Sequence, residues 1–457
     1  MRITRLIAAG VITAAFGGML VGCSSGTDTA SGDCHLEILG RERSTTDEES
    51  AWSEVFSDFE DEYGCSVSAT WSGDFTEVAS NLNAAKLAGE QVDLVTTATS
   101  NYSMAQAGLL MDLTDIVDQF GDRFTDKALA DFTLGDHLWS MPYGDQSYSV
   151  FFYNKTMFDD LGLEAPTSYA EFAEVAGVLA DNGITPVVEG GSDTWSWPMW
   201  LMATIGEESG NDSIATLRSV LSGDASFTDQ EWVDAYADIQ KFAEDGLIDS
   251  DVLDTDGSGA LAAIAQGKAA MTYNGSWTLA SARELDTDFE WGVFLFPVID
   301  PSSGATGTSS GTTEDGIAMS ASIDPDNIPM ASQFLEYISR PEVATKIMTP
   351  QSMISPSVIG VDPVDDALAD QIVNEIQPAT VQWLDWIWPN EVNDATISAV
   401  QGVLFGDESP EDAAASMQDA LDTLVAQNDY QYDWWDQWDD ADWSAVTPAE
   451  IPTVEVG

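Results

Sequence analysis

The fold is organised around one stretch, Gly267-Lys268-Ala269-Ala270-Met271-Thr272-Tyr273-Asn274-Gly275-Ser276-Trp277. Its small and apolar residues, together with Met, Thr and Tyr, are typical of a buried strand. Asn274 and Gly275 tolerate positive φ, so they predict a turn at the end of that strand. Open α/β sheets bind ligands at such an edge, which favours a ligand-facing position for Trp277. Packing of the indole in the core is an equally reasonable alternative.

Strands and helices alternate in the sequence before this stretch. Strands are predicted at residues 35–39, 66–71 and 92–95, and the segments between them carry apolar residues at helical spacing. This βαβαβ order favours a parallel sheet that is covered by helices on both faces. A chain of 457 residues also exceeds one average core, so two domains or two lobes are expected.

The charge of the chain is strongly acidic. It contains 79 Asp and Glu residues against 14 Lys and Arg residues, which gives a formal net charge of −65. This charge argues against nucleic acid as a partner, because phosphate groups are bound by clustered Lys and Arg, and it disfavours anionic lipid and anionic small ligands for the same reason. The pattern is typical of a solvated acidic surface, and it also suits a protein that stays soluble at high salt.

The N-terminus has the pattern of a lipoprotein signal peptide, predicted at residues 1–22. Basic residues precede an apolar run at 6–21, which is too short for a stop-transfer helix and is followed by a polar segment. Leu20-Val21-Gly22-Cys23 resembles the bacterial lipobox, which implies cleavage before Cys23 and lipid attachment to it. Residues 23–33 then form a flexible tether. An ordinary secretion signal with a free Cys23 is the alternative.

Two further cysteines, Cys34 and Cys65, open consecutive predicted strands. Neighbouring strands that start at corresponding ends place two such residues within reach of a disulfide in an oxidising compartment. Lipidation of Cys23 leaves an even number of cysteines, which supports the bridge. Two reduced, buried cysteines are the alternative.

Several segments resemble one known family. The segment from Phe151 to Phe172, which contains Tyr153-Asn154-Lys155, resembles a signature of the family 1 extracellular solute-binding proteins, the sugar receptors of ABC importers. The segment from Phe334 to Val343, the opening stretch and residues 406–421 resemble other segments of this family, in the same order. Together with the lipobox, these segments cover most of residues 23–425.

The resemblance implies an α/β, two-lobed type II periplasmic-binding-protein fold, with a central sheet flanked by helices in each lobe. It implies a substrate-binding lipoprotein that captures a sugar or oligosaccharide in the cleft between the lobes and delivers it to ABC permease subunits in the membrane. A monomer, anchored by its lipid to the outer face of the cytoplasmic membrane, is expected. No catalytic residue, cofactor or metal is implied.

The predicted organisation after the tether has five parts. These are residues 34–146 (lobe 1, first part), 147–285 (lobe 2, first part), 286–332 (lobe 1, return segment), 333–428 (lobe 2, helical closing part) and 429–457 (acidic Trp-rich tail). The tail contains four tryptophans, and we expect it to fold back on the second lobe because exposed indoles promote aggregation. Contact with an envelope partner is the alternative.

A sugar presents apolar C–H faces and a rim of hydroxyls, so its site needs aromatic platforms and short polar groups. From the matching positions, the expected aromatic residues are Trp277, Trp195, Trp197, Trp383, Trp386 and Trp388. The polar candidates are Arg41, Glu42, Arg43, Thr97, Ser100, Asn101, Asp145, Gln146 and Asp315. Core packing is the alternative for each tryptophan, and a solvated loop is the alternative for the polar residues.

Other functions have weaker support in the sequence. His35 and His137 are the only histidines, which argues against a histidine metal site or a Ser-His-Asp triad. The segment Asp254–Gly257 is a fragment of a calcium loop without its later ligands. Because carboxylates are abundant, a secreted glycosidase is an alternative. Such an enzyme needs two carboxylates at a defined separation in the cleft, and no sequence motif identifies such a pair. A structural or adhesive surface lipoprotein is the other alternative.

Overall fold

The computed structural model describes residues 34–43, 45–98, 101–248, 250–285, 288–300, 307–351, 353–365, 367–427 and 443–457. The predicted signal peptide, the tether with Cys23, Ser100 and residues 429–442 of the predicted tail lie outside the described residues. Within the described ranges, no helix combines the length and the apolar character needed to cross a bilayer.

The chain forms a mixed α/β structure. The strands are β1 (His35–Gly40), β2 (Ser66–Trp71), β3 (Leu94–Thr97), β4 (Thr133–Leu134), β5 (His137–Leu138), β6 (Met141–Pro142), β7 (Gln146–Asn154), β8 (Thr185–Val187), β9 (Ala269–Gly275), β10 (Trp291–Phe294), β11 (Ser309–Thr313), β12 (Gly316–Met319) and β13 (Thr380–Val381).

The helices cover the faces of the sheets. They are α1 (Thr46–Tyr63), α2 (Phe75–Ala88), α3 (Asn101–Gln106), α4 (Thr114–Val117), α5 (Asp126–Asp131), α6 (Lys155–Leu161), α7 (Tyr169–Asp181), α8 (Pro198–Glu208), α9 (Ser213–Leu221), α10 (Gln230–Glu244), α11 (Gly257–Ala265), α12 (Thr278–Glu284), α13 (Ile328–Ile338), α14 (Pro341–Met348), α15 (Ala367–Gln371), α16 (Asn390–Leu404) and α17 (Pro410–Gln427).

The first sheet has the strand order β2-β1-β3-β12-β6. β1 is parallel to β2 and β3, whereas β12 is antiparallel to β3 and β6. Thr45 caps α1 by accepting a hydrogen bond from the backbone N–H of Glu48, and α1 buries Trp52 and Phe59 in the core of this lobe. A disulfide joins Cys34 and Cys65 at the starts of β1 and β2, as predicted.

The second sheet has the order β13-β11-β7-β9-β8, with β10 also paired to β7. Every residue of β7 and β9 is buried, so these two antiparallel strands form the centre of the lobe. The capping box of Ser168 and Glu171 is present at the start of α7, as its sequence predicts. Helices α8, α10, α16 and α17 pack against one another beside this sheet.

The chain passes between the sheets from β6 to β7 and again from β11 to β12. These pairings differ from the predicted return of residues 286–332 to the first lobe, because β10 and β11 pair with β7 and only β12 lies in the first sheet. Helices α13 and α14 were expected in the second lobe, but they contact α1. The spacing of apolar residues predicts whether a segment is a helix or a strand. The lobe in which that segment packs depends on residues that are distant in the sequence, so spacing does not predict it.

The C-terminal segment 443–457 packs on the first lobe. The ring of Trp443 lies 4.9 Å from the ring of Trp139, and the backbone N–H of Asp112 donates to the carbonyl of Val446 at 2.9 Å. Farther along, the backbone N–H of Glu455 donates to Gln333 at 2.8 Å. The prediction that the tail folds back is therefore correct for these residues, but its expected location on the second lobe is wrong.

Candidate ligand-binding site between the two sheets

A pocket with about 690 Å³ of unfilled space, counted to its mouth, lies between the two sheets. Its walls come from the turn after β1, the start of α1, the connections β6–β7 and β11–β12 that join the two sheets, and the turn after β9. The lining residues are Arg41, Thr45, Glu48, Asp145, Ser147, Ser276, Trp277, Ala280, Ser281, Glu314, Asp315, Pro350 and Met353. The part of this space that the centre of a water molecule can reach is about 100 Å³, which is smaller than a typical small-molecule site.

Trp277 forms part of this wall because the turn after β9 fixes its ring. The backbone N–H of Ser276 donates to the carbonyl of Tyr148 at 2.8 Å, and the Ser276 hydroxyl accepts from the N–H of Tyr148 at 3.1 Å. The indole lies directly on Gly275, where an added Cβ would come within 1.9 Å of the ring. Gly275 is therefore needed for space. The expected positive φ is not found there.

Trp277 belongs to a small aromatic cluster. Its ring centroid is 5.6 Å from that of Trp195 and 5.9 Å from that of Trp383. The side chain of Trp195 is 43% exposed, Trp277 is half-buried and Trp383 is buried. Three of the tryptophans predicted as ligand residues therefore lie in one cluster, in which Trp195 is exposed and Trp277 is half-buried.

The other predicted tryptophans occupy core positions. Trp197 is fully buried and donates its indole N–H to the carbonyl of Gly191 at 3.0 Å. Trp388 is buried and donates to Asn393 at 3.1 Å, while Trp386 packs on Phe132 at 5.8 Å. The expectation that Trp197 and Trp388 face a ligand is not supported, because nearby core atoms enclose their rings.

A charged network forms the opposite wall. Arg41 forms a bidentate salt bridge with Asp315, in which Nε donates to Oδ1 at 3.1 Å and Nη2 donates to Oδ2 at 3.0 Å. Its Nη2 also lies 3.4 Å from Oε1 of Glu48. Burial opposes the charged form of Asp315, but Arg41 holds the pKa of this carboxyl below its ordinary value. Since the side chain of Arg41 keeps 17% exposure, it can still meet a ligand oxygen.

Arg43 supports this wall from behind. Its guanidinium lies 4.2 Å from the centre of the Trp71 ring and 3.1 Å from Glu48, and its side chain is only 2% exposed. Glu48 itself is buried and forms ion pairs with both Arg41 and Arg43. Glu42 is exposed and does not line the pocket. Of the three residues predicted after β1, Arg41 alone lines the pocket.

The polar candidates of the first lobe are held by distant partners. Thr97 donates to Ser140 at 2.7 Å, and Ser140 donates to the side-chain oxygen of Asn101 at 2.6 Å. Gln146 is also buried and accepts a hydrogen bond from the side-chain N–H of Gln377 at 3.0 Å. These three candidates do not line the pocket. Sequence spacing could not reveal partners about forty residues away.

Asp145, just before β7, and Glu314, between β11 and β12, also line the pocket, and only Asp145 was predicted. Asp145 accepts hydrogen bonds from the backbone N–H groups of Ile354 and Ser355. Burial raises the pKa of Asp145 to about 7 and the pKa of Glu314 to about 8. Near neutral pH, the Glu314 carboxyl is therefore largely protonated and can act as a hydrogen-bond donor.

These pKa values predict how stability depends on pH. Glu314 binds its proton more tightly in the folded protein than in the unfolded chain, where a Glu pKa is about 4.3. The folded state therefore holds more protons between about pH 5 and pH 8, and its unfolding free energy falls as the pH rises. We expect Glu314→Gln to remove part of this fall, by about 1 kcal/mol or more at pH 8 relative to pH 5.

Urea unfolding of the wild type and of Glu314→Gln at both pH values would measure this difference. Glu375→Gln, an exposed substitution in the second lobe, serves as the control that keeps the wild-type pH dependence. Parallel curves for the wild type and Glu314→Gln would contradict the prediction.

Comparisons with known proteins agree with this architecture. The sequence model described as bacterial extracellular solute-binding protein matches residues 43–345. A multiple sugar-binding protein from Streptococcus mutans serotype c is 24% identical over 258 residues, which are 55% of this chain and only 60% of that relative.

Solved structures share the whole fold. A chitin oligosaccharide binding protein superimposes with a TM-score of 0.75 at 24% identity, covering 86% of this chain and 100% of the other. A solute-binding protein in complex with raffinose gives a TM-score of 0.69 at 20% identity, covering 85% and 99% of the two chains. The predicted α/β periplasmic-binding-protein fold is thus confirmed. Since the family match covers well over half of its residues, this chain belongs to the bacterial extracellular solute-binding proteins.

Proposed function

We propose that this protein captures a sugar or oligosaccharide in the pocket between its two lobes and delivers it to the membrane permease of an ABC importer. The observation that carries this proposal is the half-buried ring of Trp277, held at the wall of a pocket otherwise lined mainly by polar side chains. Membership in the solute-binding family supports it. So do the names of its relatives, which refer to multiple sugars, chitin oligosaccharide and raffinose.

The pocket offers what the two surfaces of a sugar require. The apolar C–H face of a sugar ring stacks on Trp277, and Trp195 extends the aromatic surface toward solvent. Hydroxyl groups can bond to Ser147, Ser276 and Arg41, whose side chains line the same space. Because these groups come from both lobes, a bound sugar favours the closed arrangement of the lobes.

The carboxylates of the pocket support a receptor rather than a hydrolase. Asp315 is occupied by Arg41, and Asp145 accepts two backbone N–H groups. A glycosidase needs one carboxylate free as a nucleophile or base and another as an acid. Glu314 is protonated enough near neutral pH to serve as the acid, but the other carboxylates of the lining are each engaged by the chain, Glu48 by Arg43, so none of them is left as the nucleophile or base. We therefore propose a binding function without a catalytic step or a cofactor.

The location and partners follow from the same proposal. The family is extracellular, and we propose that Cys23 carries the lipid that holds the protein at the outer face of the cytoplasmic membrane. The protein acts as a monomer that meets the permease subunits with both lobes. Mass spectrometry of the membrane-extracted protein tests the anchor by detecting the lipid on Cys23. As a second test, Cys23→Ser should remove the lipid and reduce the fraction of the protein that stays with the membrane.

A thermal-shift screen against neutral mono- and oligosaccharides tests the binding function, with calorimetry on any sugar that raises the melting temperature. A ligand at one hundred times its Kd stabilises the folded protein by about 2.7 kcal/mol. Chromatography of the incubated sugars is the second readout. Release of shorter products would contradict a pure receptor, and a panel without any shift would contradict sugar binding.

Gly275→Ala offers a test of the Trp277 position that leaves the indole in place. The new methyl group would overlap the ring, which must move away from the pocket wall. We expect the sugar affinity to fall about tenfold or more, in line with the loss of one well-placed aromatic contact. Calorimetry measures the affinity. Gly177→Ala, in helix α7 with open space around the new methyl group, is the matched control and should bind like the wild type.

A further inference from the structure

The segment between β13 and α16 contacts both lobes. Near its start, the ring of Trp383 lies 5.9 Å from that of Trp277, in the aromatic cluster of the second lobe. Three residues later, the ring of Trp386 lies 5.8 Å from that of Phe132. Phe132 in turn abuts Gly316 of β12 in the first sheet. Asp385 therefore lies between side chains that touch opposite lobes.

Asp385 carries a buried acceptor that the folded chain leaves unused. Its Oδ1 is closed off from solvent and has no hydrogen-bond partner within the described part of the chain. The same is true of the indole N–H of Trp383, two residues earlier. An unpaired buried polar group reduces stability, and carboxylates suffer more than neutral groups. Burial raises the pKa of Asp385 to about 7, and backbone hydrogen bonds from Asp385 and Trp386 to the carboxylate partly oppose this rise.

An unpaired donor and an unpaired acceptor on one short segment match the chemistry of a sugar. Each sugar hydroxyl can donate one hydrogen bond and accept others, so adjacent hydroxyls can satisfy both groups at once. A site that is built to bond a hydroxyl also rejects ligands that lack it, because its own groups then stay unpaired. The aromatic cluster beside this segment would hold the ring of such a ligand.

We propose that Asp385 is a specificity-determining residue, whose carboxylate accepts a hydrogen bond from a hydroxyl of the saccharide held at Trp277, while the indole N–H of Trp383 donates to a neighbouring oxygen. This inference rests on the proposed sugar-binding function. It adds a polar contact on the segment before α16, where the sequence predicted only tryptophans.

The substitution Asp385→Asn keeps the shape of the side chain and removes its charge. Because Oδ1 of Asp385 has no hydrogen-bond partner among the described residues of the empty protein, the melting temperature without ligand should stay the same or rise. The affinity for the saccharide with the largest shift in the neutral panel, which includes raffinose and chitin oligosaccharides, should fall about tenfold, because a neutral amide oxygen accepts a weaker hydrogen bond than a carboxylate oxygen. The shift in melting temperature at a fixed sugar concentration should shrink accordingly.

Asp238→Asn is the matched control. Asp238 lies on α10, away from the segment between β13 and α16, and its Oδ2 is likewise buried without a hydrogen-bond partner among the described residues, while its Oδ1 accepts from Lys241. This variant should bind the same sugar with wild-type affinity. Asp385→Ala gives a second measurement at the site and should weaken binding at least as much as Asp385→Asn.

The outcomes separate the two proposals. Wild-type affinity in both Asp385 variants would overturn this inference and leave the sugar-binding function intact. A marked loss of melting temperature in both ligand-free variants would also overturn it, since it would show a structural role. If the wild type binds no saccharide in the panel, the proposed function fails first, and this inference fails with it.

Discussion

The substitution Trp277→Ala is expected to weaken sugar binding by about 2 kcal/mol or more, which is roughly thirtyfold in Kd, with little change in the stability of the empty protein. The ring supplies the apolar surface on which a sugar can stack, and no other half-buried aromatic ring lines the pocket within the described residues. Calorimetry gives the affinity, and differential scanning calorimetry gives the melting temperature of the empty protein.

Two further variants make this result specific. Trp277→Phe should recover part of the affinity, because a smaller ring still offers a stacking face. Trp200→Ala removes a buried tryptophan of helix α8 and should destabilise the protein by about 3–5 kcal/mol. If Trp277→Ala lost stability on the scale of Trp200→Ala, the indole would belong to the core, and the platform role would be wrong.

Glu48→Gln should produce the largest loss of stability among the charged residues of the pocket, by about 3–5 kcal/mol. Glu48 is only 1% exposed and is the carboxylate that neutralises Arg43, which is itself buried behind the wall. The glutamine would leave Arg43 without its ion-pair partner in the protein interior, with only the charge of Asp315 nearby. Urea unfolding at pH 7 measures the effect.

An exposed ion pair provides the comparison. Lys346 bridges Glu54 and Asp58 on the surface of the first lobe, where water screens the charges and the side chains remain partly exposed. Lys346→Met should change the unfolding free energy by only about 0–1 kcal/mol. Equal losses for Glu48→Gln and Lys346→Met would show that the buried network does not carry the stability assigned to it.

Much of the local structure could be predicted from the sequence, because it depends on neighbouring residues. The strand that ends at Gly275, the capping box at Ser168 and the bridge between Cys34 and Cys65 were all predicted from short patterns. Each depends on backbone propensities or on strands adjacent in the chain. The order of strands and helices that leads to the α/β fold follows from the same patterns.

The pocket was only partly predictable, because its details depend on distant contacts. Trp195 and Trp197 are two residues apart in one loop, yet the first is accessible and the second is enclosed beside Gly191. The loop forms a short 3₁₀ turn, which gives no long periodic pattern from which to predict the inward-facing side. Glu48 was missed for a related reason: its partners Arg41 and Arg43 are close in sequence, but its burial depends on the packing of the whole lobe.

The disulfide at the start of the first sheet has a consequence for export. A bridge that closes a loop with a sequence separation of 31 contributes about 3–4 kcal/mol to stability in the chain-entropy account. Such bonds do not persist in a reducing cytosol. A newly made chain therefore lacks this contribution until it has left the cell interior, and it stays closer to the unfolded state that a translocation channel can accept. If the protein is exported as proposed, oxidation outside the cell then stabilises the lobe that carries Arg41, and full stability is reached only where the proposed sugar ligand is met.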